Sequence, residues 1–161
     1  MDKTITAVVP VKINSSWLPG KNILPFGKSN FLLHKLDQLK QAEEITDIVV
    51  SLDSDEMLSM AEAAGVTAMK RPEQCANEPV PFGRFLDYLC EVLPNEHIFC
   101  DCVTSPLVEP YLYDKAINLY FEHLEKGCDL LITLQSMRTF FMDRDGQCYK
   151  TQSFGTDKRA A

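Results

Sequence analysis

Short β-branched runs alternate along this chain with stretches of helical periodicity, and that alternation limits the fold more than any other feature. Ile5 to Val9, Ile45 to Val50, Val66 to Met69 and His97 to Cys102 read as buried strands, with a fifth over Asp129 to Leu134. Between them lie helices. Asn30 caps the first, which carries Phe31, Leu32, Leu33, Leu36 and Leu39 as its apolar stripe and Lys35, Asp37 and Gln38 on the wet side. Ser54 or Asp53 caps the second, through Met57, Leu58, Met60, Ala61 and Ala64, and Gly65 stops it. The third runs from Phe82 to Leu93, with Phe85, Leu86, Leu89 and Val92 on one face. The fourth runs from about Pro110 to Lys126 and ends at Gly127. Strand and helix in alternation predict βαβ units, hence an α/β fold with a mostly parallel sheet and helices on both faces.

At 161 residues the chain is expected to form one domain over residues 1–150, followed by a frayed tail over 151–161. A formal charge of −7 argues against a nucleic-acid partner, because phosphate backbones need concentrated Lys and Arg. No apolar run reaches the ~20 residues of a membrane span. The six cysteines, Cys75, Cys90, Cys100, Cys102, Cys128 and Cys148, contain no CxxC, and no signal peptide is expected. A reduced, cytoplasmic setting is the expectation, with the cysteines as small core hydrophobes.

In a parallel sheet the strands' carboxyl ends share one edge, and polar clusters follow each of the first four strands. The richest is the loop after strand one. It carries Lys12, Asn14, Ser15, Ser16, Lys21 and Asn22, and Pro10, Pro19 and Gly20 keep it irregular. Two lysines among hydroxyls suit an anion, here read as phosphate. The loop has neither the GxxxxGK[ST] of a P-loop nor the GxGxxG of a dinucleotide fold. Trp17 either covers a ligand or pins the loop. Asp101, at the end of strand four, is the best-placed candidate metal ligand. Asp143 and Asp145 read as a hairpin turn at 143–146, and His34, His97 and His123 as structural or exposed.

Four ordered segments carry a resemblance: PVKINSSWLPGKN over 10–22, VVSLDSDE over 49–56, KRPEQCA over 70–76 and CVTSPL over 102–107. Together they resemble the acylneuraminate cytidylyltransferase (CMP-sialic acid synthetase-like) family over roughly residues 5–140. That family has a Rossmann-like three-layer nucleotidyltransferase fold with a mostly parallel sheet.

The resemblance implies transfer of CMP from CTP to the anomeric hydroxyl of a sialic-acid-like α-keto acid sugar, with release of pyrophosphate and use of Mg²⁺. It implies a homodimer serving polysaccharide biosynthesis. By position in the motifs, Lys21 becomes the catalytic candidate, stabilising developing phosphate charge. Lys12, Asn14, Ser15, Ser16, Asn22, Ser51, Asp53, Arg71 and Cys102 become the nucleotide-binding candidates. Lys12 stands where the family has Arg, Ser16 where it has Lys, and Cys102 where it has Gln. Family members run past residue 161, and the part beyond carries their metal-binding Asp pair, so the chain reads as a divergent member lacking the C-terminal part. The alternatives are a catalytically inactive nucleotide- or sugar-binding module and an interaction domain that keeps only the fold.

Overall fold

The computed structural model describes residues 3–13, 18–72, 81–134, 140–142, 144–145 and 147–150. The chain divides into two units, Met1–Leu130 and Leu131–Ala161. The first unit is built on four parallel strands: β1 (Ile5–Pro10), β4 (Asp47–Leu52), β5 (Thr67–Lys70) and β6 (His97–Cys100), in the order β5-β4-β1-β6. A small antiparallel pair, β2 (Pro25–Phe26) and β3 (Ser29–Asn30), precedes the first helix. The helices are α1 (Phe31–Lys40), α2 (Asp55–Ala63), α3 (Phe82–Val92) and α4 (Pro110–Leu124).

β1 sits at the centre because its residues have partners on both faces. Val8 pairs in register with Val49 on one side and Cys100 on the other. Ala7 and Val9 join Leu32, Leu36 and Leu39 of α1 and Met57 and Ala61 of α2 in one buried cluster. Ile5, on the same face, packs with Ile117 and Phe121 of α4. Val8 points the other way, onto Phe85 and Leu89 of α3. The period-2 alternation of one strand thus sorts three helices to one face and one to the other. Each fully buried Leu or Phe in these clusters contributes roughly 1.5–3 kcal/mol of burial free energy.

Strand order reverses between β1 and β6. The chain steps from β1 to β4 and β5, then crosses back to lay β6 on the far side of β1. In open α/β sheets such a reversal opens a crevice at the carboxyl ends of the two strands.

Four expectations need correction. Asp129 to Leu134 is not a strand, because no ladder among the described residues pairs with it. The second major strand spans Asp47–Leu52 rather than Ile45 to Val50, since its register against β1 begins at Asp47 opposite Thr6. Lys35 and Gln38 are not on the wet side of α1; both are buried. Cys90, Cys100, Cys102 and Cys128 are exposed, so they do not serve as core hydrophobes. In the second unit, β7 (Phe140–Met142) and β8 (Cys148–Lys150) form an antiparallel pair. Of the turn expected between them, residues 144 and 145 are described and form a turn, while 143 and 146 lie outside the described residues. The tail over 151–161 also lies outside them, as do residues 73–80.

Candidate functional site

The loop after β1 is tied at its base. The Gly20 N–H donates to the Ile13 carbonyl at 2.8 Å, which brings residues 13 and 20 together as a neck flanked by Lys12 and Lys21. Gly20 makes the return possible with φ 67°, a conformation that costs a residue with a Cβ. A 3₁₀ turn over Lys21–Ile23 follows. Asn22, only 4% exposed, turns its side chain back so that Nδ2 donates to the Lys12 carbonyl at 2.8 Å. Its Oδ1 is buried and has no hydrogen-bond partner among the described residues. Asn14, Ser15, Ser16 and Trp17 lie outside the described residues.

The end of β4 supports this neck. The Ile13 N–H donates to Asp53 Oδ1 at 2.8 Å, and the Val11 N–H to the Ser51 carbonyl at 2.9 Å. Arg71 leaves the end of β5, where its N–H donates to the Leu52 carbonyl. Its guanidinium is buried: Nη2 donates to the Ser51 carbonyl at 3.0 Å, Nε to Ser51 Oγ at 3.3 Å, and the group stacks 4.5 Å from the centre of the Phe85 ring. Arg71 is therefore an internal brace between β4, β5 and α3, a role for which its planar fork is suited.

The end of β6 completes the edge. Asp101 Oδ1 accepts from the Cys102 N–H at 2.8 Å, and Oδ2 lies 2.9 Å from Lys35 Nζ. Desolvation, then the charge of Asp101, raise the Cys102 thiol above its ordinary value, while the ammonium groups of Lys35 and Lys21 pull the other way. Desolvation, Cys102 and Asp101 push the Cys100 thiol up to about 11 against the opposing charge of Arg71. Both thiols are therefore held protonated at neutral pH. Lys12, Lys21, Asn22, Ser51, Asp53, Arg71, Asp101 and Cys102, drawn from four separate stretches, thus share the carboxyl edge of one sheet.

The donor set does not suit the expected Mg²⁺. Both oxygens of Asp101 are already engaged, by an ammonium and by an amide. Asp53 Oδ1 holds the loop, and among the described residues no three His, Cys, Asp or Glu side chains converge as ligands would. Asp143 lies outside the described residues, and Asp145 is exposed on its turn.

Sequence reasoning missed Lys35, Gln38 and Tyr113. A signal for the first was present. Leu32, Lys35, Leu36 and Leu39 follow the i, i+3, i+4, i+7 spacing of one helix face, so Lys35 stands inside the apolar stripe. A lysine there needs a buried acid, and Asp101 is that acid.

A family model described as Cytidylyltransferase matches residues 6–153. The chain is 25% identical over 155 residues to an N-acylneuraminate cytidylyltransferase from Escherichia coli O18:K1:H7, covering 96% of this chain and 37% of that protein. It is 25% identical over 130 residues to a 3-deoxy-manno-octulosonate cytidylyltransferase from Chloroherpeton thalassium, covering 78% and 49%. It therefore spans between about a third and a half of the length of these relatives. A solved structure of a CMP:2-keto-3-deoxy-manno-octonic acid synthetase with CTP superposes with a TM-score of 0.63 at 18% identity, covering 74% of this chain and 48% of that one. That likeness shows the fold alone, a mostly parallel nucleotidyltransferase sheet. Among the described residues no helix is long and apolar enough to cross a membrane. With its family model matched over nearly all its length, the chain belongs to the cytidylyltransferase family.

Proposed function

We infer that this chain supplies the nucleotide-binding part of an enzyme that transfers CMP from CTP to an α-keto acid sugar. One observation carries the reading: the family's motif residues Lys12, Lys21, Asn22, Ser51, Asp53 and Cys102 follow or end β1, β4 and β6 at their carboxyl ends, on the sheet edge where strand order reverses. Lys12 and Lys21, flanking the Ile13–Gly20 neck, hold the triphosphate. Lys21 offsets the charge that develops as the α-phosphate is attacked and pyrophosphate leaves. Arg71 acts from behind, bracing Ser51, on which the loop's Val11 hangs. The acceptor is an eight- or nine-carbon α-keto acid sugar; relatives named for both sugar classes match this chain with equal identity. Mg²⁺ belongs to this chemistry in the resembling family, but no step is assigned to it on these residues.

A second reading, nucleotide binding without turnover, is favoured by the engagement of Asp101 with Lys35. The test is a thermal-shift series with CTP, UTP, ATP and GTP, on the chain and on Lys21→Ala, followed by a pyrophosphate-release assay with both sugar classes. CTP at a hundred times its Kd should stabilise the chain by about 2.7 kcal/mol. Lys21→Ala should abolish that shift without lowering the unliganded midpoint. Pyrophosphate release supports the transferase, and a CTP shift without release supports the second reading. If no nucleotide moves the midpoint, both readings fall.

A further inference from the structure

Lys35 is the largest wholly buried side chain among the described residues, at 0% exposure. It lies on α1, yet its partners come from two other parts of the chain. Nζ donates to the Ser105 carbonyl at 2.9 Å and to the Tyr113 hydroxyl of α4 at 2.6 Å, and pairs with Asp101 at 2.9 Å. Asp101 is itself only 13% exposed. Burial, then the charge and hydrogen bond of Asp101, hold the Tyr113 hydroxyl protonated. The three groups close a triangle behind the crevice.

The same face of α1 grips the chain that follows. His34 Nε2 is 2.8 Å from the Pro106 carbonyl, and Gln38 Nε2 donates to the Pro106 and Val108 carbonyls at 2.8 and 2.6 Å. Residues 101–108 have little structure of their own; within them one backbone bond is found, Ser105 N–H to the Cys102 carbonyl at 3.3 Å. Their path is set by α1.

We propose that Lys35 and Asp101 are positioning residues, an internal ion pair that fixes the end of β6 and the 101–108 turn against the nucleotide edge, with the Lys35 ammonium as the resident cation of Asp101 in place of a metal. A charged pair in this setting is geometrically demanding, since each partner left alone is a buried unpaired charge. That demand is what makes it a locating device: the Asp101 carboxylate has one place to be, and Cys102 is hydrogen-bonded to it. That this edge binds a nucleotide rests on the function proposed above; the geometry of the ion pair does not.

The test uses the 161-residue chain in a Cys100→Ser background, with Lys35→Met, Asp101→Asn, the double variant, and Lys35→Arg as the charge-keeping control. Hydrogen exchange over 101–108 should speed up about tenfold in both single variants while β1 and β4 stay protected. Alkylation of Cys102 should slow in Lys35→Met, where Asp101 is left uncompensated, and quicken in Asp101→Asn, with Cys128 unchanged as the internal standard. The double variant should return the thiol toward its original rate but not the exchange. Lys35→Arg should retain more of both than Lys35→Met. Unchanged exchange over 101–108, or Cys102 and Cys128 moving together in the same direction, overturns the proposal. So does an unaltered CTP midpoint in a Lys35→Met chain whose 101–108 segment has loosened. If Lys35→Met does not fold, Asp101→Asn and Lys35→Arg decide alone. A wild-type chain that ignores every nucleotide defeats the proposed function while leaving the exchange and thiol results to judge the ion pair.

Discussion

Removing the Asp53 carboxylate should loosen the neck of the first loop by a predictable amount. Its Oδ1 takes the Ile13 N–H at 2.8 Å, across 40 residues of sequence, in a half-buried position. A hydrogen bond to a charged acceptor contributes roughly 1.5–3 kcal/mol, and a neutral one roughly 0.5–1.5. Asp53→Ala strands the amide and should cost about 2 kcal/mol. Asp53→Asn keeps an acceptor in place and should cost about 1 kcal/mol. For a chain of this size those losses lower the melting temperature by about 4–8 °C and 2–4 °C. Urea unfolding of the three proteins gives the free energies directly, and equal m-values check that the same surface unfolds. Because Ile13 also anchors Gly20, Asp53→Ala should weaken CTP binding about tenfold beyond its effect on stability. The reasoning fails if Asp53→Asn costs as much as Asp53→Ala, which would make charge the cause, or if neither variant differs from wild type.

Two further outcomes follow from packing and titration. Leu89→Ala empties a wholly buried site under Val8 and should cost about 3 kcal/mol in urea unfolding; a loss below about 1 kcal/mol would mean that α3 does not pack as described. The Cys100 thiol, pushed up to about 11, is about one part in a thousand thiolate at pH 8, so iodoacetamide should modify it on the order of a hundredfold more slowly than a free thiol peptide. Asp101→Asn removes a negative neighbour, lowers that pKa and should speed the reaction; a Cys100 as quick as the peptide contradicts the assigned environment.

The main frame of this molecule was legible because it depends on local pattern. The β-branched runs at β1 and β5, the Asn30 cap whose Oδ1 accepts the Leu33 N–H, and the gathering of polar clusters at one sheet edge all follow from residue type and order. What was hidden depends on partners distant in sequence. Asp129 to Leu134 has the composition of a strand, but a strand exists only where another backbone lies alongside, and none does among the described residues. Lys35 was assigned to water by its charge, against its spacing, because Asp101 stands 66 positions away. Arg71 was read as a ligand contact, and the motif could not reveal that Ser51 and Phe85 would engage its guanidinium first. Of the first loop, the neck is explained by Gly20, Asn22 and Asp53, while 14–17 fall outside the described residues.

The Ser51 carbonyl receives both the Val11 N–H and the Arg71 guanidinium, one donor for each of its lone pairs. The segments that leave the ends of β1 and β5 are thus fastened to a single oxygen atom. Neither is free to adjust alone: a ligand that draws Arg71 outward alters the acceptor on which the first loop hangs. Substitutions in the two segments should therefore not add in free energy. A double-mutant cycle between Arg71 and Asp53 would read that shared fastening as a number.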